Sequence, residues 1–339
     1  MADALLLMKL HSLPPPPILC GMEKVDVSVI LAVQRGADAL PTWLAHLEQQ
    51  SFPAARYEIV VADAGSADDA GVVVERFAAG SAVRMRCLHL PSVNLAQARN
   101  VAVREARGKW ALFLDLDLLA GPHWIERHVQ GQKEHGGDVL LAGAIQRHPQ
   151  LSGEALTRWF LPEHRPSLTP DQEPKLMDCC TSNMSISRRV LMENQGFDDG
   201  LIDSHLAGIE LAWRLAQYGM PRRYTNKAEA FIWQPVNFDE ECARNYQFGY
   251  GLRDLENKIQ DSEITLRFPV LRGFLRASLD AMVIPFYQRA CQQTEENTRL
   301  MGYAYRRVLR YEQYKGYQDA RKGRPPRTAT WNYERNLSH

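Results

Sequence analysis

Short apolar runs alternate with amphipathic stretches through the first third of the chain. The apolar runs are rich in β-branched residues, as in VDVSVILAV at 25–33, which is typical of buried strands. The stretches between them have helical spacing and end in glycine or turn residues. We predict strands at 25–33, 57–66, 83–92 and 109–119, and helices at 41–50, 68–80 and 94–108, the last ended by Gly108. This alternation predicts βαβ units and a mostly parallel sheet.

The pattern is less regular from residue 121 to 236 and turns helical from about 239. A proline-rich, charged stretch at 150–178 predicts a long loop or short helices. The remaining predicted elements are a helix at 122–136, strands at 140–148 and 228–236, a strand running into a helix and a turn at 181–199, and an amphipathic helix at 210–219.

Composition narrows the class of protein. The chain has 339 residues, 45% of them hydrophobic, and no net formal charge, which argues against a nucleic-acid partner. The six cysteines match neither a zinc pattern nor a disulfide framework, so we expect reduced thiols and a cytoplasmic protein. No run approaches the roughly 20 apolar residues of a membrane span. The first 24 residues lack a secretory signal and are interpreted as an arm or a tail.

Two acids interrupt the apolar run ALFLDLDLLA at 111–120. Alternate residues of a strand point the same way, so Asp115 and Asp117 can converge on one cation where the strand ends. Asp63 ends an earlier strand, and the carboxyl ends of parallel strands are where ligands bind. Carboxylate oxygens suit Mg²⁺ or Mn²⁺, which also bind diphosphates. The alternative is that both acids cap the strand or the following helix.

Several motifs in order resemble the family 2 glycosyltransferases, which are inverting, nucleotide-sugar-dependent enzymes of the GT-A fold. They are VSVILAV, VVADAGSADD, NLAQARNVAVREARGKWALFLDLD and TSNMSISRRVLMENQGFDD. Over roughly residues 25–236 the resemblance implies a Rossmann-like, mostly parallel sheet flanked by helices. It divides this part into a nucleotide-sugar-binding half (25–120) and an acceptor-binding half (121–238). The sequence pattern adds an N-terminal arm (1–24) before it and a helical C-terminal extension with a basic tail (239–339) after it.

The resemblance also implies roles for individual residues. Arg99 would face the nucleotide diphosphate, or else be a solvated helix arginine. Asp115 would contact the ribose or a Mn²⁺ or Mg²⁺ ion, and Asp117 would bind the ion. The acceptor side would include Asn183 and Arg188, for which capping a strand or helix is an equal alternative. The other residues expected to bind the nucleotide sugar are Ala32, Val33, Arg35, Asp63 and Leu116.

The chain departs from the family pattern where the general base belongs. The family has a Glu-Asp pair, and LAGIELAWRL places Ala207 and Gly208 there. Neither side chain can accept the proton of an acceptor hydroxyl. Asp203 or Glu210 is the predicted base, and His205 could also reach the site. The alternatives are a helix cap for Asp203, a surface position for His205, and an ion pair with Arg214 for Glu210.

Three further departures concern the donor side. Ala64 replaces a second family aspartate, Leu95 replaces a family glycine, and Gln234 stands where many relatives have a metal-binding histidine. The first two changes could alter the choice of base. Because a neutral amide is a poorer metal ligand than imidazole, Gln234 leads us to expect a metal site that is two-carboxylate and weak, or absent.

Two functions follow from the resemblance. The first is inverting transfer of a sugar from a nucleotide diphosphate sugar to a hydroxyl of a glycan, lipid-linked or protein acceptor. The expected donor is a UDP-sugar, which is the most frequent donor in the family. The second is a degenerate relative that binds a nucleotide sugar or a partner without turnover. FLRASLDAMVIPFYQRA at 274–290 suggests a packed core helix, a homodimer contact, or peripheral contact with the inner face of a membrane.

Overall fold

A computed structural model describes residues 25–151, 168–169, 172–179, 181–201, 204–234, 237–259, 283–289 and 299–327. The predicted arm at 1–24 lies outside the described residues, as does Asp203.

One eight-stranded sheet runs through the described residues, in the order β3-β2-β1-β4-β7-β6-β8-β5. Neighbours pair in parallel from β3 to β4 and between β6 and β8, and the other pairs are antiparallel. The strands are β1 (Val27–Val33), β2 (Tyr57–Asp63), β3 (Arg84–His89), β4 (Trp110–Leu114), β5 (Leu118–Ala120), β6 (Leu140–Arg147), β7 (Asn183–Ser187) and β8 (Arg222–Ile232). The mostly parallel α/β sheet predicted from the sequence is confirmed.

Helices cover both faces of this sheet. The helices are α1 (Leu40–Glu48), α2 (Ala70–Ala78), α3 (Leu95–Glu105), α4 (Trp124–Glu134), α5 (Arg188–Glu193), α6 (Ser204–Gln217), α7 (Phe238–Lys258) and α8 (Arg299–Arg321). Strands β1, β2 and β4 are apolar on both sides, so one face of the sheet packs on α1, α2 and α4 and the other on α3, α5, α6 and α7. Short 3₁₀ turns lie at Ala54–Arg56, Pro149–Leu151 and Leu176–Asp178.

The chain changes direction in the sheet at β1. It builds β2 and β3 on one side of β1 and then crosses to place β4 on the other side. Such a switch point leaves a crevice at the carboxyl ends of β1 and β4, where open α/β sheets bind ligands. Asp63, at the end of β2, and the turn after β4 both lie at this edge.

Several predicted element boundaries are wrong, among them the strand at 228–236, which is β8 from Arg222 to Ile232. The predicted strand at 109–119 is two strands, β4 and β5, with the acids in the turn between them. The helix at 94–108 ends at Glu105 instead of at Gly108. Gly108 allows close approach of two backbones, because a Cβ there would overlap the Ser28 amide, and its N–H donates to Ser28 Oγ at 2.9 Å.

The helical extension packs as a pair. Helices α7 and α8 contact each other through Gly249 and Gly316, each facing backbone of the other helix. Of the predicted segment 274–290, residues 283–289 are described and helical. Ile284 is buried in the cluster that holds Phe238 and Tyr305, whereas Phe286 is 80% exposed. None of the helices in the described part of the chain has the length and apolar character to span a membrane.

Candidate active site

Asp115 and Asp117 occupy the first and third positions of a four-residue turn at the end of β4. The Leu118 N–H donates to the Asp115 carbonyl at 3.0 Å, which closes the turn, and β5 then pairs with β8. The Trp233 indole N–H donates to the Leu116 carbonyl at 3.2 Å and ties the turn to the end of β8. The turn thus holds both carboxylates at the carboxyl edge of the sheet, where the sequence predicted them.

Asp115 is the anchored member of the pair. Its Oδ1 accepts from Arg99 Nη2 at 2.9 Å, its Oδ2 accepts from Ser182 Oγ at 2.7 Å, and His205 Nε2 lies 3.6 Å from Oδ2. Burial favours the neutral carboxyl, but the Arg99 charge, His205 and the Ser182 hydroxyl outweigh it and lower the pKa of Asp115. Asp115 therefore stays ionised, and the alternative of a solvated helix arginine is wrong because Arg99 is 3% exposed.

Asp117 is the more accessible member, with 37% of its side chain exposed. Arg244 Nη1, on α7, lies 3.7 Å from Asp117 Oδ2 and 3.2 Å from Glu241 Oε1. Burial and then the negative charge of Asp115 raise the pKa of Asp117. Burial also raises the pKa of Glu241, and the negative charge of Asp117 raises it further. The turn and α7 thus bring three carboxylates into one electrostatic cluster.

This cluster has the donors for an oxygen-preferring divalent cation. Asp115 and Asp117 supply carboxylate oxygens, and a cation beside them would relieve their mutual repulsion, which adds to burial in raising the pKa of Asp117. His205 brings an imidazole to the same carboxylates. Gln234 occupies the position of the family histidine directly after Trp233. The residues present therefore fit Mg²⁺ or Mn²⁺ through the two acids.

The predicted nucleotide pocket lies at the ends of β1 and β2. Ala32 and Val33 are buried in the last two positions of β1, and Arg35 is exposed in the loop that follows. Asp63 ends β2, and its Oδ1 accepts from the Ser66 N–H at 2.8 Å.

The loop after β1 is held in place by two contacts that the sequence did not indicate. Asp68 Oδ2 accepts from the N–H groups of Gly36 and Ala37 at 2.7 and 3.0 Å. Leu116 packs against Gly36, which has a φ of +133° and no room for a Cβ beside Leu116. The acidic turn and the predicted nucleotide pocket are therefore in direct contact.

Two residues predicted for the acceptor side make contacts within the scaffold. Asn183 is 2% exposed, and its Nδ2 donates to the carbonyls of Ala144 and Ala228. Its Oδ1 accepts from Trp124 Nε1 at 2.8 Å. Arg188 donates from Nε and Nη2 to the carbonyls of Val103 and Arg104, both at 2.8 Å, and so caps the last turn of α3. These contacts match the capping alternatives.

The structure has no room for acidic side chains at positions 207 and 208, where the family has its base motif. Ala207 is fully buried, and a Cβ on Gly208 would lie 3.0 Å from the Thr181 backbone nitrogen. Glu210 is 6% exposed and holds Arg214 through both carboxylate oxygens, at 2.8 and 2.9 Å. His205 and Glu210 lie about 140° apart around α6. Of these two candidates, His205 faces the acid pair.

Ser182, Glu241 and Arg244 are site residues that the sequence reasoning missed. Ser182 directly precedes the predicted Asn183, so its place beside a recognised motif was the available signal. Glu241 and Arg244 lie on a helix predicted only as part of the extension. Their approach to Asp117 depends on how α7 packs, which no local pattern shows.

The fold is that of the GT-A glycosyltransferases, as the sequence predicted. A mannosyltransferase from Pyrobaculum calidifontis, solved with GDP-Man and Mn²⁺, aligns over 92% of this chain and 94% of its own, with a TM-score of 0.55 and 13% identity. The structure of S. aureus TarS 1-349 aligns over 89% of this chain and 93% of its own, with a TM-score of 0.52 and 17% identity. At these identities the likeness concerns the fold.

Sequence comparison defines the family. Residues 28–194 match the family model described as glycosyl transferase family 2. Poly(ribitol-phosphate) beta-N-acetylglucosaminyltransferase TarS of Staphylococcus aureus is 27% identical over 142 residues, which are 42% of this chain and 24% of TarS. Validoxylamine A glucosyltransferase of Streptomyces hygroscopicus is 25% identical over 220 residues, which cover 58% of this chain and 52% of that protein. Through residues 28–194 the chain belongs to glycosyltransferase family 2, and the chain spans 24% to 52% of the length of these two relatives.

Proposed function

We propose that the protein transfers a sugar from a nucleotide diphosphate sugar, most simply a UDP-sugar, to an acceptor hydroxyl with inversion. The observation that carries this proposal is the acidic turn of Asp115 and Asp117 at the switch point of a GT-A sheet, in contact with the loop after β1 through Leu116. The relatives named above support the same reaction class by their names.

The nucleoside and the diphosphate of the donor would occupy two different parts of the site. Ala32, Val33 and Arg35 would line the base and ribose pocket, with Asp63 bonding the base. The diphosphate would lie over the acidic turn, where Asp115 and Asp117 would hold a Mn²⁺ or Mg²⁺ ion. Such an ion, when bound, neutralises the charge of the departing diphosphate. Arg99 would act mainly by keeping Asp115 ionised and oriented, because its Nη2 donates to that carboxylate.

The reaction is a single displacement. The acceptor oxygen forms a bond to the anomeric carbon as the bond from that carbon to the diphosphate oxygen breaks. The hydroxyl proton passes to a base, and the electron pair of the broken bond leaves with the nucleoside diphosphate. Asp203, His205 and Glu210 are the candidates for this base. The bidentate pairing of Glu210 with Arg214 weighs against Glu210.

A donor screen tests the proposal. UDP-, GDP- and dTDP-sugars are incubated with the protein and Mn²⁺, and both donor hydrolysis and transfer to an acceptor panel are measured. We expect turnover with one nucleotide class in the wild-type protein, and a loss of at least about tenfold in Asp117→Ala. Glu193→Gln, an exposed acid on α5, is the control and should keep wild-type turnover. Failure of every nucleotide sugar to bind would contradict the proposal.

One specific observation favours the alternative of a degenerate relative that binds a nucleotide sugar without turnover. The two positions of the family's base motif are filled by Ala207 and Gly208, and both are packed. A protein that binds nucleotide sugars but neither hydrolyses nor transfers them, across the same panel, would be this non-catalytic relative.

A further inference from the structure

A mixed cluster of side chains lies beside the predicted nucleotide pocket, on the edge strand β3 and its neighbour β2. In the parallel register of β2 and β3, Asp63 pairs with His89 and Val61 pairs with Cys87. Alternate residues share a face of a strand, so Asp63, Cys87 and His89 project from the same side. One ligand atom from each lies within 4.8 Å of the other two.

The spacing is close to that of a tetrahedral metal site. Zinc bonds of about 2.0–2.3 Å separate neighbouring ligand atoms by roughly 3.3–3.8 Å. The distance from His89 Nδ1 to Asp63 Oδ2 is already 3.6 Å. His89 has 58% of its side chain exposed, which leaves solvent access for a fourth ligand. A small rearrangement of Cys87 would complete three protein ligands.

The surroundings of His89 orient it toward such a site. Its Nδ1 faces Asp63, and its Nε2 lies 3.5 Å from Glu75 Oε1 on α2. A metal-binding histidine commonly donates its other ring N–H to a carboxylate in this way. The imidazole lies over Gly71, where any Cβ would overlap Cε1 of the ring. Gly71 thus leaves space for this position of His89.

We propose that Asp63, Cys87 and His89 form a zinc site, distinct from the oxygen-rich site of Asp115 and Asp117. Thiolate, imidazole and carboxylate together select Zn²⁺ over Mg²⁺ or Mn²⁺, which prefer oxygen ligands. The site would also be inhibitory, and this part rests on the proposed function: with Oδ2 on zinc and Oδ1 accepting from the Ser66 N–H, both oxygens of Asp63 would be engaged, so a nucleotide base would have to displace the ion. Zinc and the nucleotide then exclude each other.

Metal titration of the nucleotide-free protein tests the zinc site. Zn²⁺ is titrated calorimetrically, and Co²⁺ is used as a probe whose thiolate charge-transfer absorption reports a bound cysteine. We expect one site in the wild-type protein with the Co²⁺–thiolate band. Cys87→Ser should lose the band and weaken Zn²⁺ binding more than about 100-fold, and Glu75→Gln should weaken it roughly tenfold. Cys242→Ser, at another half-buried thiol, is the matched control and should bind as the wild type does.

Gly71→Ala tests the geometry without removing a ligand. The added methyl group displaces the His89 ring, while alanine suits the helix better than glycine. We expect weakened Zn²⁺ binding in a protein that stays folded by circular dichroism. The absence of the thiolate band in the wild type, or equal Zn²⁺ affinity in the wild type, Cys87→Ser and Gly71→Ala, would overturn the zinc site.

A second titration tests the competition. UDP is titrated in Mn²⁺ with and without saturating Zn²⁺, and zinc should weaken UDP binding at least about tenfold in the wild type and not in Cys87→Ser. Equal UDP affinity in both conditions would overturn the inhibitory role. If none of UDP, GDP and dTDP binds, the proposed function fails, whereas the Zn²⁺ and Co²⁺ titrations still decide whether the zinc site exists.

Discussion

The two acids of the turn are chemically alike and differ in their surroundings. Asp115 is held by a buried arginine and a hydroxyl, whereas Asp117 is partly exposed and faces Arg244. The pKa of the first is lowered and that of the second is raised. We interpret Asp115 as the fixed half of the site and Asp117 as the half that responds to a bound cation.

Removing Arg99 should destabilise the fold through Asp115. Arg99→Leu leaves a largely buried carboxylate without its guanidinium, and we expect the free energy of unfolding to fall by about 3 kcal/mol in urea titrations. Arg76→Leu, at an exposed position of α2, should change it by less than about 0.5 kcal/mol. Adding Asp115→Asn to Arg99→Leu should recover part of the loss. A double variant that is less stable than Arg99→Leu alone would contradict the coupling.

We expect Glu210 to stabilise the fold and not to act as the base. Glu210→Gln removes the charge that holds Arg214, and we expect a loss of about 2 kcal/mol in unfolding free energy. Donor hydrolysis by the folded variant should stay within about twofold of the wild type, since Glu210 faces away from the acid pair. Glu193→Gln removes an exposed partner of Arg189 at the same helical spacing and should cost under about 0.5 kcal/mol. A stable but inactive Glu210→Gln would instead identify Glu210 as the base.

Single residues were predictable where a strand pattern located them. Asp63, Asp115 and Asp117 follow apolar runs, so the sequence indicated the sheet edge on which they lie. The partners of these acids come from distant segments. Arg244 approaches Asp117 from a helix of the extension, and only the packed structure shows this contact. The roles of Asn183 and Arg188 were left open because a scaffold contact and a ligand contact use the same polar atoms.

At the scale of elements, the helix pair of the extension depends on close backbone contact. Gly249 on α7 faces the backbone of Gln313, and Gly316 on α8 faces the carbonyl of Tyr246. The pair is also joined by hydrogen bonds from Tyr246 to Asp319 and from Tyr317 to Glu256. Since α7 carries Arg244, this packing indirectly positions a residue of the site.

Gly249→Ala should disturb this packing. The added methyl group would overlap the Gln313 carbonyl, and overpacking of this kind costs about 1–3 kcal/mol. We expect a lower midpoint of thermal unfolding and faster limited proteolysis within α8. Gly80→Ala is the control, because the nearest atom to its Cβ is the Phe77 carbonyl oxygen at 4.0 Å. Equal midpoints in the two variants would show that the helices do not pack through Gly249.

Element types were easier to predict than element ends. Apolar periodicity identified β1, β2 and β4 and the helices beside them because those segments are buried in regular layers, and it also identified the half-buried edge strand β3. The prediction of a single strand at 109–119 is wrong at Asp115 and Asp117, where the chain forms a turn instead of extended backbone. Helix α6 begins before the predicted residue 210, since the residues that replace the family acids continue the helix.

At the scale of the whole molecule, one sheet joins the two predicted halves. Strand β5, from the first half, pairs with β8 from the second, and β4 pairs with β7. At the centre of this junction His128 is fully buried, with Nδ1 3.0 Å from Ser185 Oγ and Nε2 2.9 Å from Asn183 Oδ1. Burial lowers the pKa of His128 to about 4.

This buried histidine predicts a loss of stability in acid. The unfolded chain takes up the proton near pH 6.5 and the folded protein only near pH 4. The unfolded state therefore binds more protons between these values, and the unfolding free energy should fall by about 3 kcal/mol as the pH drops from 6.5 to 4. His128→Gln should remove this part of the pH slope, whereas His123→Gln, an exposed control, should keep it. An unchanged slope in His128→Gln would contradict the neutral buried imidazole.

The proposed function requires that the acidic turn bind a nucleotide diphosphate through a divalent cation. Calorimetric titration of UDP, GDP and dTDP in Mn²⁺ and in EDTA measures this directly for the wild type and Asp117→Ala. We predict that one nucleotide binds the wild type in Mn²⁺ and binds at least about tenfold more weakly in EDTA and in Asp117→Ala. Equal affinity in all three cases would contradict the role of the turn, and the absence of binding by any nucleotide would contradict the account as a whole.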